Sequence, residues 1–358
     1  MSESVYVLGA GGIGCLVSCP LAKVFKLNLI VRNIAKREYL RENANKIQFK
    51  QLFNEGNIVS FVVNGAYTAD RIPDKRIKNL IVSVKTFDTI SAIKPLMGKI
   101  DKRTNILFVQ NGMGVIDELY ATLWPEKSIR PAIYQGVISH GVYQELNEKN
   151  TYNYVHAGFS GLKICKMPKS LDDGEQMVDG DGNLEEAPSF IQTLITCDKL
   201  NAKYYTYKDL LVYQVQKLMV NECMNAVTTI LDCINFELYT KTAVVLFREI
   251  ISESLNVLNR SMPILKESTL YDSILNVDSL VEYTKKCGFI VNGKNSTSMR
   301  QDVLNLRDVE IQYINGYIVK QGKKVGYAAS VNKTIVLLVK TRLEINRDRA
   351  SRGQLREQ

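Results

Sequence analysis

A β-forming run, Val5-Tyr6-Val7-Leu8, passes directly into Gly9-Ala10-Gly11-Gly12-Ile13-Gly14. A helical segment follows to about Phe25, and a second β-type run spans Leu27 to Val31. This is the strand–turn–helix–strand setting in which G-x-G-x-x-G binds a dinucleotide. Gly9 permits the tight turn. Gly11 lets the backbone approach a pyrophosphate. Gly14 lets the helix pack close to the strand. The helix start then offers free N–H groups and a favourable dipole to the phosphates. Gly9, Gly11, Gly12, Ile13 and Gly14 are therefore the candidate cofactor loop. Pro20 falls inside the expected helix and should kink it or leave a carbonyl unpaired.

The end of the second β-run indicates which dinucleotide. An NAD-specific site usually carries an acid there for the ribose 2′-hydroxyl. Here the run ends in Arg32-Asn33, with Lys36 and Arg37 beyond, and no acid occurs until Glu38. A guanidinium suits a 2′-phosphate, so the expected cofactor is NADP(H). A surface arginine at a strand end is the plainer alternative for Arg32.

Further β-rich runs, Asn79 to Val84 and Asn105 to Val109, are separated by a helical segment to about Met97. Such alternation predicts an α/β fold with a doubly wound sheet. Pro131 to Cys165 reads as more strand-like. Pro168 to Pro188 is rich in Asp, Glu and Gly and reads as a mobile acidic insertion away from any site. Within it, Asp179 to Asn183 superficially resembles a calcium loop. Leu184 takes the obligatory glycine place and Phe190 that of the bidentate glutamate, so no metal is expected. After Thr206 the chain reads as helical. The expected organisation is a Rossmann-type domain over 1–205, an all-helical domain over 206–347 and a basic tail over 348–358.

With 358 residues the chain is long enough for two cores. Its 46% hydrophobic and 23% charged content is that of a globular protein. No apolar run is long enough for a bilayer. The first strand begins by Val5, which leaves no room for a signal peptide. Seven scattered cysteines without a C-x-x-C pair suit reduced thiols in a cytoplasmic compartment. The net charge of +9 is spread along the chain without an aromatic-interleaved patch, so nucleic acid is not the expected partner. The densest basic stretch, Arg342 to Arg356, reads as a solvated helix end and a frayed terminus.

Three clusters carry chemical character. Lys217, Asn221 and Asn225 recur at i, i+4 and i+8 and share one helix face. Leu211, Val215 and Leu218 form an apolar stripe beside it. A lone helical lysine is usually a solvated surface residue, so the pattern is ambiguous alone. Val84-Lys85-Thr86 and Gln110-Asn111-Gly112 follow two strands at their carboxyl ends, where ligands of open α/β sheets bind. Taken singly, Lys85 and Asn111 read as a surface charge and a turn residue. Asn295 to Asp302 looks like a helix start, with Ser298 as cap and Asp302 in the first turn. That helix is expected to continue through Arg307, Glu310 and Asn315, which makes Glu310 an exposed helix acid on its own pattern.

Gly9-Ala10-Gly11-Gly12-Ile13-Gly14, Val84-Lys85, Gln110-Asn111-Gly112, Lys217-Leu218-x-x-Asn221-x-x-x-Asn225, Asn295-x-x-Ser298-Met299-x-Gln301-Asp302 and Glu310-x-x-Tyr313-Ile314-Asn315-Gly316 occur in that order. The set resembles the 2-dehydropantoate 2-reductase (ketopantoate reductase) family from about Val5 to Arg347. Val137 to Gln144 and the acidic insertion resemble its fungal branch. The resemblance implies a Rossmann domain followed by a helical domain, with the active site in the cleft between them. It implies NADPH-dependent reduction of 2-dehydropantoate to (R)-pantoate, toward pantothenate and coenzyme A. Lys217 and Glu310 match the family's catalytic pair. Asn111, Asn221, Asn225, Asn295 and Ser298 match cofactor- and substrate-lining positions, and Arg32 and Lys85 match cofactor contacts. The residue types agree with that chemistry. Hydride addition to a ketone builds charge on oxygen, which an ammonium can stabilise and protonate. A carboxylate such as Glu310 can accept from the substrate hydroxyl and favour the charged lysine.

His140 and His156 match no catalytic position and read as structural. Departures from the family pattern are Asp88, beside the expected 2′-phosphate place, Cys165 and Phe236. Two rivals stay open: a reductase of another small 2-oxo acid, and a non-catalytic NADP-binding regulator. Ile335 to Val339 serves either a core or a homodimer contact.

Overall fold

The computed structural model describes residues 3–144, 153–171 and 183–353. The centre of the acidic insertion, 172–182, lies outside the described residues and takes with it Asp179 to Gly182 of the calcium-like sequence. Residues 354–358 of the basic tail lie outside them as well. The chain forms two compact units. One takes Met1–Gln110 and Ile116–Leu210, the other Asn111–Val115 and Leu211–Gln358. Among the described residues no helix is long and apolar enough to cross a membrane.

The first unit is an α/β unit with two sheets. Its strands are β1 (Ser4–Leu8), β2 (Lys26–Ile30), β3 (Lys46–Gln51), β4 (Asn57–Val62), β5 (Gly65–Tyr67), β6 (Asn79–Val82), β7 (Asn105–Phe108), β8 (Ala132–Ile138), β9 (Gly141–Gln144), β10 (Asn153–Gly158), β11 (Leu162–Lys166) and β12 (Ala202–Tyr204). The large sheet runs β12-β11-β8-β7-β6-β1-β2-β5. From β5 to β8 every pair is parallel, and only β8 and β11 pair antiparallel. The six strands β8-β7-β6-β1-β2-β5 have the doubly wound order that places ligands at the carboxyl ends beside β1. Strands covered on both faces read as continuous apolar runs, and Val5, Tyr6, Val7 and Leu8 are all buried.

The helices are α1 (Gly12–Ser18), α2 (Ile34–Glu42), α3 (Thr89–Ile93), α4 (Val115–Thr122) and α5 (Ser189–Ile195). Two are shorter than their sequence predicts. The α1 helix ends at Ser18, and a 3-10 turn over Cys19–Lys23 replaces the stretch expected to reach Phe25. Pro20 lacks the N–H that another α turn needs. After β6, the helix expected to run to Met97 is broken into α3 flanked by 3-10 turns, the second with Pro95 in its first turn.

A second sheet, β4-β3-β10-β9, has no counterpart among the sequence-based expectations. The β3–β4 pair is a hairpin, whereas β3 pairs in parallel with β10, about a hundred residues later. Phe49, Phe61 and Tyr154 stack on its inner face. His156 of β10 and His140, just before β9, are buried. His140 Nε2 lies 2.9 Å from the Leu200 carbonyl, so its proton sits there. Its Nδ1 then accepts from Ser160 N at 3.2 Å and from His156 Nε2 at 3.1 Å. Both rings are structural, as expected. Burial pushes the His140 pKa down, and burial with the neighbouring imidazole pushes His156 to about 4.

The second unit is helical: α6 (Tyr207–Leu231), α7 (Lys241–Ser261), α8 (Tyr271–Ile274), α9 (Val277–Lys285), α10 (Ser298–Leu304), α11 (Asn315–Lys324) and α12 (Ser330–Ser351). Its interior is not wholly apolar. Glu222 on α6 is fully buried, and Ser254 Oγ of α7 donates to it at 2.6 Å. Asn332 Nδ2 of α12 donates to Ser254 Oγ at 3.0 Å and to Glu253 Oε2 at 2.9 Å. Asn315 Nδ2 of α11 donates to Asn332 Oδ1 at 2.9 Å. Burial raises the Glu222 pKa well above its ordinary value.

Candidate active site

In the first unit the glycine loop joins β1 to α1. Gly9 has φ +105°, and a Cβ there would lie 2.7 Å from Val84 N. A Cβ at Gly14 would overlap the Gly9 carbonyl and Ser83 Oγ, so that glycine lets helix and strand meet. Gly11 differs: nothing stands within 4 Å of where its Cβ would be. No protein packing demands a glycine there. The open space is the cradle that a pyrophosphate approaching the backbone would need. Gly12 has a packing reason of its own, since a Cβ would meet Val142 Cγ1 at 2.6 Å. Ile13 packs against the apolar core.

Arg32 follows β2, and Lys85 follows β6. These strands flank β1 on either side, so both cations emerge at the glycine-loop end of the sheet. Arg32 is highly exposed and pairs with Asp88 Oδ2 at 3.1 Å. Lys85 is half-buried. Gln110 Nε2 ties the neighbouring strand ends together, donating to the Val84 carbonyl and to Thr89 Oγ1, each at 2.6 Å. Two further residues join the loop. Tyr154 Oη donates to the Ala10 carbonyl at 2.7 Å, and Lys36 Nζ lies 3.4 Å from the same oxygen. Burial depresses the Lys36 pKa, so its ammonium gains from any anion beside it. The spacing Arg32-x-x-x-Lys36 is a local signal for Lys36. Tyr154, on a distant strand, has none.

In the second unit α6 carries the lysine. Lys217 Nζ donates to Asn111 Oδ1 at 2.8 Å. Gln214, one turn earlier, donates to the Gly112 carbonyl at 3.4 Å. Met113 N donates to the Tyr313 carbonyl at 2.8 Å. Gly112 has φ +82°, and a Cβ there would lie 2.5 Å from Tyr313 O. The Asn111–Val115 segment is thus wedged between α6 and the 3-10 turn Glu310–Tyr313. Asn221 and Asn225 are half-buried, one and two turns beyond Lys217.

Glu310 is 6% exposed, which corrects the exposed helix acid expected from its sequence pattern. The expected helix through Arg307, Glu310 and Asn315 does not form. The α10 helix stops at Leu304, Leu306 turns left-handed at φ +57°, and the chain restarts as the Glu310–Tyr313 turn and then α11. The cap is also corrected. Thr297, not Ser298, accepts from Arg300 N. Thr297 is selected because Thr228 Oγ1 of α6 holds its hydroxyl at 2.8 Å. Ser298 is the first helical residue and is exposed, as is Asn295. Asp302 lies beyond the first turn, buried, and pairs with Arg307 at 2.9 Å.

Both units match family models. Residues 5–169 match ketopantoate reductase PanE/ApbA, and residues 209–343 match its C-terminal region. The chain belongs to the ketopantoate reductase family. It is accordingly an oxidoreductase, in a family that depends on NADPH. A probable 2-dehydropantoate 2-reductase of Schizosaccharomyces pombe is 38% identical over 98% of this chain and 99% of its own. The 2-dehydropantoate 2-reductase of Saccharomyces cerevisiae is 35% identical over 99% of this chain and 98% of its own. A solved structure of a probable 2-dehydropantoate 2-reductase from Bacillus subtilis shares the fold, with a TM-score of 0.68 and 22% identity over 95% of this chain and 99% of that one.

Proposed function

We propose that this ketopantoate reductase family member reduces 2-dehydropantoate to (R)-pantoate with NADPH. One observation carries the assignment of roles: Lys217 Nζ is held 2.8 Å from Asn111 Oδ1, on the helix face that continues through Asn221 and Asn225. The carboxamide accepts from the ammonium and fixes its direction while leaving its other protons to donate. NADPH supplies the hydride that adds to the 2-oxo carbon. Lys217 stabilises the alkoxide as it forms and delivers the proton to that oxygen. Glu310 accepts from the substrate hydroxyl and supports the charged form of Lys217. Asn221, Asn225, Asn295 and Ser298 supply neutral donors for the substrate's carboxylate and hydroxyl.

The cofactor is assigned to the first domain, 1–205, and the chemistry to the second, 206–347. Gly9, Gly11, Gly12, Ile13 and Gly14 line the pyrophosphate, Arg32 takes the 2′-phosphate, and Lys85 and Asn111 complete the contacts. The residue types and their placement support this reading, and full-length relatives bear the same enzyme name.

The test is a panel of small 2-oxo acids followed by loss of nicotinamide absorbance, each with NADPH and with NADH. 2-Dehydropantoate with NADPH should give the highest kcat/KM. A higher value for another 2-oxo acid would reassign the substrate, and no turnover with any acid would leave only a binding protein.

A further inference from the structure

The segment Asn292–Arg300, which contains Asn295 and Ser298, is fastened at several points to the C-terminal end of α6 and the residues just after it. Thr228 Oγ1 meets Thr297 Oγ1 at 2.8 Å. Asn235 N donates to the Asn295 carbonyl at 3.1 Å, and Asn235 Nδ2 donates to the Asn292 carbonyl at 2.9 Å. Phe236 N donates to the Gly293 carbonyl at 2.8 Å. The strongest clamp is ionic. Asp232 Oδ1 accepts from Arg300 Nε at 2.9 Å, and Arg342 of α12 reaches Oδ2 at 2.7 Å. All three side chains are largely buried, at 15–25% exposure. Arg300 Nη1 donates at 3.0 Å to Ser296 Oγ, in the middle of the segment. The guanidinium therefore spans from the residue just beyond α6 to the hydroxyl of Ser296, which lies between Asn295 and Ser298. Asp232 is left-handed at φ +54°, just beyond α6, a conformation in which Asp and Asn are among the few side chains tolerated.

We propose that Asp232 and Arg300 are positioning residues that fix Asn295 and Ser298 against the Lys217–Asn221–Asn225 face of α6. One helix then carries one set of substrate donors on its side and holds the second set at its end. The inference rests on the substrate roles assigned above to Asn295 and Ser298. Neither Asp232 nor Arg300 needs to touch substrate. Their loss should let the segment shift, weakening substrate binding while the ammonium that does the chemistry stays in place.

The variants are Asp232→Asn, which keeps shape and left-handed tolerance but removes the charge, Arg300→Met, and Arg300→Lys. Steady-state constants, NADPH affinity and thermal midpoint are measured for each. Asp232→Asn and Arg300→Met should raise KM for 2-dehydropantoate about five- to twentyfold, as expected for losing charge-assisted hydrogen bonds that act at one remove. Saturated turnover and NADPH affinity should stay within about threefold. Arg300→Lys should fall between wild type and Arg300→Met, because it keeps the charge but not the fork. In an Asn295→Ala/Ser298→Ala background, Asp232→Asn should raise KM less than about twofold, since little remains to position. If Asp232→Asn fails to fold, Arg300→Lys against Arg300→Met carries the same comparison.

The proposal is overturned if Asn295→Ala and Ser298→Ala raise KM while folded Asp232→Asn and Arg300→Met do not. It is also overturned if Asp232→Asn has its full effect in the doubly truncated background. If Asn295→Ala and Ser298→Ala leave KM unchanged, the substrate roles themselves are wrong, and the positioning proposal falls with them.

Discussion

The glycine loop of the first unit and the lysine helix of the second are built by opposite means. The loop works through backbone. Gly9 and Gly14 are glycines because the fold leaves no room for a Cβ, whereas Gly11 is one although the fold has room to spare. The α6 helix works through side chains: Lys217, Asn221 and Asn225 project from a regular backbone that would form without them. A site made of backbone cannot be edited without touching the fold. A site made of side chains can be truncated while the scaffold stands.

Four measurements test that contrast, from the largest expected effect to the smallest. Lys217→Ala should lower turnover roughly a hundred- to ten-thousandfold, the usual contribution of a general acid, with an almost unchanged thermal midpoint. Glu310→Ala should damage turnover and KM together, and the double variant should lose less than the summed effects, as groups acting as a unit do. Near-normal turnover in Lys217→Ala would move the chemistry elsewhere.

On the backbone side, Gly14→Ala should cost about 3 kcal/mol of stability, at the upper end for overpacking, because carbonyl and hydroxyl oxygens occupy the new methyl's place. Gly11→Ala should leave stability intact and weaken only dinucleotide binding. Equal melting losses in the two variants would erase the distinction between a packing glycine and a ligand glycine.

Arg32→Ala belongs with the side chains although it sits in the first unit. Losing a charged hydrogen bond worth about 1.5–3 kcal/mol should weaken NADPH roughly ten- to a hundredfold and spare NADH. Asp88, 3.1 Å away, competes for the same guanidinium. Asp88→Asn should therefore tighten NADPH a few-fold at most, the scale of an exposed ion pair. Equal loss of both cofactors in Arg32→Ala would make Arg32 structural.

The smallest effect is one of pH. His156 titrates near 4 in the fold, against about 6.5 in an unfolded chain. Between those values the unfolded state binds the extra proton. Stability is complete above about pH 6.5 and declines as the pH falls toward 4, by at most about 1.4 kcal/mol per pH unit for this group. Urea midpoints at pH 7.5 and 5 should draw closer together in His156→Gln. An unchanged gap would show that the imidazole pair does not control acid sensitivity.

The same contrast explains what could be read in advance. The doubly wound sheet was legible because its inner parallel strands β1, β6 and β7 are buried on both faces and write their burial locally. The turn at Gly9 and the close packing at Gly14 were legible because a tight strand-to-helix turn needs a fixed glycine spacing. The second sheet was not, since β3 finds its partner β10 far along the chain and its polar residues give no local sign of that pairing. Thr297 and Ser298 are equally good caps by composition, and Thr228 decides between them from another helix. Glu310 read as a helix acid because the break at Leu306 has no proline or glycine to announce it. Lys217 could be placed on a face, but its partner Asn111 comes from the segment just after β7.

Glu222 has one further consequence. The α6 helix presents polar groups on two sides: Lys217, Asn221 and Asn225 on one, and Glu222, locked to Ser254, on another. A helix greased only by leucines can rotate or slip against its neighbours at modest cost. Turning α6 by a single residue, about 100°, would strand the Glu222 carboxyl among apolar side chains and break its bond to Ser254. The interior carboxyl thus works as an index mark for the helix, much as one buried asparagine fixes the register of a coiled coil. The direction in which Lys217 points is then set from behind, by a side chain on another face of the same helix.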